Sequence, residues 1–123
     1  MIYLYMCFTI FLSACNISTD KTYLYVEVDT LPVLEYENGL NDYIYSNLKW
    51  PNQFGGEGEV IASFIVTQGG KTNKIKIEKS LCPLCDEEVI RVLKSLPKWK
   101  PGEKDGEQVN VKFYLPIKFN IEQ

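Results

Sequence analysis

The sequence predicts an α+β domain in which two helices pack on one face of a small antiparallel and mixed sheet. Three observations lead there. The run Glu59–Thr67 (EVIASFIVT) is followed by Gly69-Gly70 and then by the alternating Lys74-Ile-Lys-Ile-Glu78, the pattern of a β-hairpin. Apolar residues recur at helical spacing on either side of that hairpin, in Leu40–Leu48 and again between Asp86 and Leu96. The chain then closes on a stretch from Val109 whose odd positions are all apolar, with strict period two.

Residues 1–14 (MIYLYMCFTIFLSA) are of another kind, almost wholly apolar and followed by the polar Asn16–Lys21. As a helix they would rise only about 21 Å, short of the roughly 30 Å of a bilayer core, so they read as a signal peptide rather than a span. Leu12-Ser13-Ala14-Cys15 resembles the lipobox of bacterial lipoproteins, which implies Cys15 as the site of lipid attachment, although no Lys or Arg precedes the apolar core.

Tyr23–Val28 is rich in β-formers, with Leu24, Val26 and Val28 on one face. In the first helix Leu40, Tyr43, Ile44 and Leu48 form the apolar stripe, and Trp50-Pro51 ends it, because a residue before proline is pushed out of the α region. The continuous apolar run of Glu59–Thr67 suggests burial on both faces. The second helix is expected from about Asp86 as N-cap, with Glu87 and Glu88 in its first turn and Val89, Ile90, Leu93 and Leu96 buried, and Pro97 stops it. Trp50 and Trp99 read as core plugs beside prolines.

Handedness orders the strands. The second helix carries the chain back over the sheet, so the last strand lies antiparallel beside Glu59–Thr67, giving the order hairpin return, central strand, C-terminal edge strand. Pro116 fits an edge, where its missing N–H faces outward. Asn110, Lys112, Tyr114 and Lys118 then flank an exposed backbone edge, which either docks a partner or is guarded by its lysines.

Composition narrows the function. Lys plus Arg number 13 against 16 Asp plus Glu, a net charge of −3, which gives no reason to expect nucleic acid. The absence of histidine removes the commonest general base and metal ligand, so no catalytic residue, metal or cofactor is expected. Cys82-Pro-Leu-Cys85 precedes the second helix. In an exported protein a local disulfide is the first reading, and thiol–disulfide chemistry is the alternative.

Several landmarks together resemble the C-terminal domain of TonB, the periplasmic energy transducer, in its Bacteroidetes-type relatives. They are Asn47-Leu-Lys-Trp-Pro51, Gly58-Glu-Val60, Leu93-Lys-Ser-Leu-Pro-Lys-Trp-Lys-Pro-Gly102 and the final strand with its internal Leu-Pro-Ile. The resemblance spans residues 26–123, leaving 1–14 as a lipoprotein-type signal peptide and 15–25 as lipidated N-terminus and short linker. It implies a non-catalytic module that adds an extended segment of an outer-membrane transporter beside its C-terminal strand. By the same resemblance Lys49, Trp50 and Asn52, after the first helix, lie near the binding site. Tyr36-Glu-Asn-Gly39 stands where the family has Pro-Gly-Gly, and the family's motor-contacting histidine and long spacer are not seen here. The reading is therefore a lipid-anchored protein on the periplasmic face of the outer membrane, engaging transporters or other TonB-system proteins. A structural protein that self-associates through the same edge, as a homodimer, is the alternative.

Overall fold

The computed structural model describes residues 21–49 and 57–119. Its elements run β1 (Thr22–Leu24), β2 (Val33–Leu34), α1 (Gly39–Asn47), β3 (Gly58–Val66), β4 (Thr72–Lys79), α2 (Pro83–Lys94), β5 (Trp99–Lys100), β6 (Gly102–Lys104) and β7 (Glu107–Phe119). The main sheet has the order β1-β7-β3-β4, with β6 pairing the start of β7, while β2 and β5 form a separate antiparallel pair. The expected order of hairpin return, central strand and C-terminal strand is observed, and β7 runs antiparallel to β3.

Alternation decides which side chains reach the core. Val60, Ala62, Phe64 and Val66 of β3 and Val111, Ile117 and Phe119 of β7 are buried. Most of them cluster with Ile44 of α1 and with Cys85, Val89, Val92 and Leu93 of α2. The opposite face of β3 is only half-covered at Ile61 and Ile65, so the continuous apolar run does not mark a strand buried on both faces. Ser63 on that face is buried, and its hydroxyl donates to the Glu78 carboxylate at 2.8 Å.

Three further sequence expectations are corrected. The first strand ends at Leu24, not Val28, because the Leu24 carbonyl accepts the Glu27 N–H at 2.9 Å and turns the chain, leaving Val26 70% exposed. The second helix starts a turn before Asp86: Pro83 occupies its first turn, where no N–H is needed, and Cys82 caps it. Lastly, β7 is not the outermost strand along its whole length. β1, from a segment read as linker, pairs in parallel with Asn110–Lys112.

The junction between α2 and β7 is fixed by Trp99. Its ring is 2% exposed, lies 5.9 Å from both Phe64 and Phe113, and donates its indole N–H to the Thr72 hydroxyl at 2.8 Å. Its backbone N–H donates to the Gly70 carbonyl at 2.9 Å. The β3–β4 turn, the elbow after α2 and the middle of β7 are thereby tied to one aromatic cluster. Asp105 and Gly106, both at positive φ, close the β6–β7 hairpin in the sense that matches strand twist.

Candidate partner-docking edge

Residues of an extended strand aim their backbone groups alternately at its two neighbours. In β7 the Lys112 carbonyl accepts the Tyr25 N–H at 3.1 Å, so Lys112 faces away from β3. The same parity turns Asn110, Tyr114, Pro116 and Lys118 outward. Pro116 therefore lacks its N–H on the side that β3 does not need, and the β3–β7 register runs without a shift from Gly58↔Phe119 to Val66↔Val111.

The outward edge has three parts. Over Asn110 and Lys112 it is filled by β1. At Tyr114 and Pro116 no strand among the described residues pairs with it. At Lys118 the N–H donates to the Tyr45 hydroxyl of α1 at 3.0 Å. Tyr114 is 45% exposed, and the Lys112 ammonium sits 5.2 Å from its ring centroid.

The other outer strand is built differently. β4 shifts register against β3 twice and carries Lys74 at positive φ, with Lys74, Lys76, Glu78 and Lys79 exposed along it. Bulges and charge are how edges are kept from pairing. The Glu78 carboxyl is held below its ordinary range by the Ser63 hydroxyl and by Lys76 and Lys112, so this face keeps its charge.

A polar clamp sets the end of α1. The Arg91 guanidinium donates to the Asn47 carbonyl at 2.7 Å and pairs with Glu88, whose carboxylate also accepts the Lys49 N–H at 2.6 Å. The Tyr43 hydroxyl donates to the Ser95 carbonyl at 2.7 Å, fixing α1 to the end of α2. Hydrogen bonding from Arg91, opposed by burial, lowers the Glu88 carboxyl from its usual value.

Of the residues expected to meet a partner, Asn110, Lys112, Tyr114 and Lys118 lie along one edge, with β1 occupying the first two. Lys49 is held to α2 through Glu88. Trp50, Asn52 and Cys15 fall outside the described residues. Cys82 and Cys85 are joined as a disulfide in the first turn of α2, with Cys85 fully buried. Tyr45, Glu27 and the pairing of Thr22–Leu24 were missed. The β-rich Thr-Tyr-Leu-Tyr was a signal for the last, whereas an exposed helical tyrosine gives none.

These features define a small interaction domain with one straight, partly uncovered sheet edge. Residues 52–121 match the family model for the Gram-negative bacterial TonB protein C-terminal, and the chain belongs to that family. The family is one of protein-interaction domains without enzymatic activity, which makes this a TonB-system-associated protein of the Gram-negative envelope. No curated protein matches the chain in sequence.

Proposed function

We propose that this protein is a non-catalytic envelope lipoprotein, anchored through lipid on Cys15, whose domain takes up an extended segment of an outer-membrane transporter or another TonB-system protein. The segment adds as a strand along the outer edge of β7. The observation that carries this reading is the unshifted β7 edge with outward backbone groups at Tyr114 and Pro116 that no described strand pairs. The β4 edge, bulged and charged, is the poorer acceptor.

A photo-crosslinker at Tyr114 of the full chain, in intact envelopes, tests it, with the same probe at Lys76 of β4 as control. Identification by mass spectrometry should place the Tyr114 adduct on an extended segment of a transporter or TonB-system protein and find none at Lys76. Adducts only to a second copy of this chain would shift the function to self-association, and equal labelling at both positions would remove the edge argument. Separately, palmitate labelling should disappear in Cys15→Ala; unchanged labelling removes the anchor.

A further inference from the structure

The strand covering the upper part of the β7 edge belongs to the chain itself, and it is lightly held. β1 is three residues long and pairs only with Asn110, Val111 and Lys112. Around it are the Tyr25–Lys112 hydrogen bond, the Tyr25 ring stacked on Phe113 at 5.9 Å, and the ammonium groups of Lys21 and Lys104 at 5.1 and 5.5 Å from the Tyr23 ring centroid. Leu24 and Tyr25 remain 41% and 42% exposed, so burial secures little of it.

Two features make this segment more than an ordinary outer strand. Leu24 faces away from β7, and both of its backbone groups are consumed by Glu27: the carboxylate accepts its N–H at 2.8 Å and the Glu27 N–H reaches its carbonyl. Further strand addition at Leu24 is thus blocked from within. Past that turn the chain is fastened again. Asp29 and Thr30 donate to the Glu103 carbonyl, Lys104 reaches the Glu27 carbonyl, and the Asp29 carboxylate accepts the Asp105 N–H. The exposed Val26 separates a loosely held arm from a firmly held base.

The uncovered edge is short for a guest. Tyr114 offers an N–H and a carbonyl and Pro116 only a carbonyl. Lifting β1 adds both groups of Asn110 and of Lys112, which more than doubles the ladder. We propose that Thr22–Tyr25 is a built-in competitor for the docking edge, which a guest strand displaces about the Val26–Glu27 turn to reach the whole of β7. The slot so opened takes a segment running parallel to β7 with a planar side chain over Phe113, where Tyr25 now lies. The inference rests on the proposed function only for the identity of the guest.

A synthetic peptide of residues 21–28 serves as probe, added to the full chain and to two variants, Tyr25→Pro and Tyr25→Ala. The first removes the N–H given to Lys112; the second removes only the ring. Far-UV circular dichroism checks that each folds. Amide exchange is read at Lys112, which faces β1, with Phe113, which faces β3, as reference. Lys112 should exchange roughly tenfold or more faster in Tyr25→Pro while Phe113 holds, since a paired amide is being freed. The peptide should restore protection at Lys112 in that variant and bind it roughly tenfold more tightly than the parent, with Tyr25→Ala between the two. Equal binding to parent and Tyr25→Pro would mean that β1 does not compete. No binding to a variant with an exposed Lys112 would mean that the edge is no peptide slot. If the peptide behaves as expected while Tyr114 labels no transporter or TonB-system protein, the competitor stands and the proposed function falls.

Discussion

Gly70→Ala tests the reasoning about the junction that carries β7. Gly70 has φ +81°, where an L-residue costs about 1–2 kcal/mol. Its added Cβ would also fall well inside van der Waals contact of the Trp99 carbonyl oxygen, a backbone atom that cannot swing aside. Retreat of that strand loosens the bond from the Trp99 N–H to the Gly70 carbonyl, at about 1 kcal/mol. The total is about 3 kcal/mol, a large part of the 5–15 kcal/mol that holds a domain of this size. With a slope of about 1.5 kcal/mol per molar urea, the midpoint should fall by about 2 M. Gly69→Ala is the control: its Cβ would meet only the Thr67 hydroxyl oxygen, at 3.7 Å, and its φ is not positive. It should be neutral or slightly stabilising, because alanine restricts the unfolded chain. Urea unfolding of both followed by far-UV circular dichroism decides the matter. Equal midpoints for the two variants would refute the argument that this turn depends on a left-handed glycine pressed against the Trp99 backbone.

Other perturbations follow from the same contacts. Arg91→Ala should lower the midpoint of thermal or urea unfolding, because it uncaps the Asn47 carbonyl and leaves the Glu88 carboxylate without its main partner. The Glu88 carboxyl titrates below its ordinary value of 4.5 in the folded chain, so its contribution is present above that pH and is lost as pH falls through the folded value; in Arg91→Ala this acid-side loss should shrink. Reduction of Cys82–Cys85 should cost at most about 2 kcal/mol, the entropy of closing so short a loop. Amide exchange along β7 should stay unchanged on reduction, since the bridge lies within the first turn of α2.

The layers and the order of the main strands were legible because period and handedness leave few solutions. Val111, Ile117 and Phe119 repeat the alternation that the sequence carries, whereas in β3 the continuous apolar run concealed that Val60, Ala62, Phe64 and Val66 alone face the core. What was not legible depended on partners far away in sequence. Tyr23–Val28 reads as β-rich, but nothing in it says that the strand is Thr22–Leu24, paired with residues 110–112, and stops short of Val28. The start of α2 was misplaced because Asp86 is a good cap, yet proline at the first position and a cysteine cap satisfy the same groups a turn earlier. Asp105-Gly106 is a strong hairpin signal that went unread beside the louder Trp-Lys-Pro-Gly. At the edge, Tyr45 reaches Lys118 across 73 positions, a contact that no local pattern encodes.

Pro116 links the two readings of the edge, docking and self-association. Self-pairing needs a continuous row of donors and acceptors, and the uncovered part of β7 does not offer one. Below Tyr114 the next outward residue has no N–H, and the one after gives its N–H to Tyr45. Above Tyr114 the donors of Lys112 and Asn110 face β1, and Leu24 of β1 is closed off by Glu27. Along the described part of β7, a second copy meets one uncovered donor, at Tyr114, flanked by Lys112 and Lys118. A segment that can replace Thr22–Tyr25 meets an unbroken ladder from Asn110 to Tyr114. Direct edge-to-edge pairing of two copies along β7 is therefore disfavoured, whereas a segment able to replace Thr22–Tyr25 would find the ladder open, and that asymmetry supports the proposed docking over edge-to-edge self-assembly.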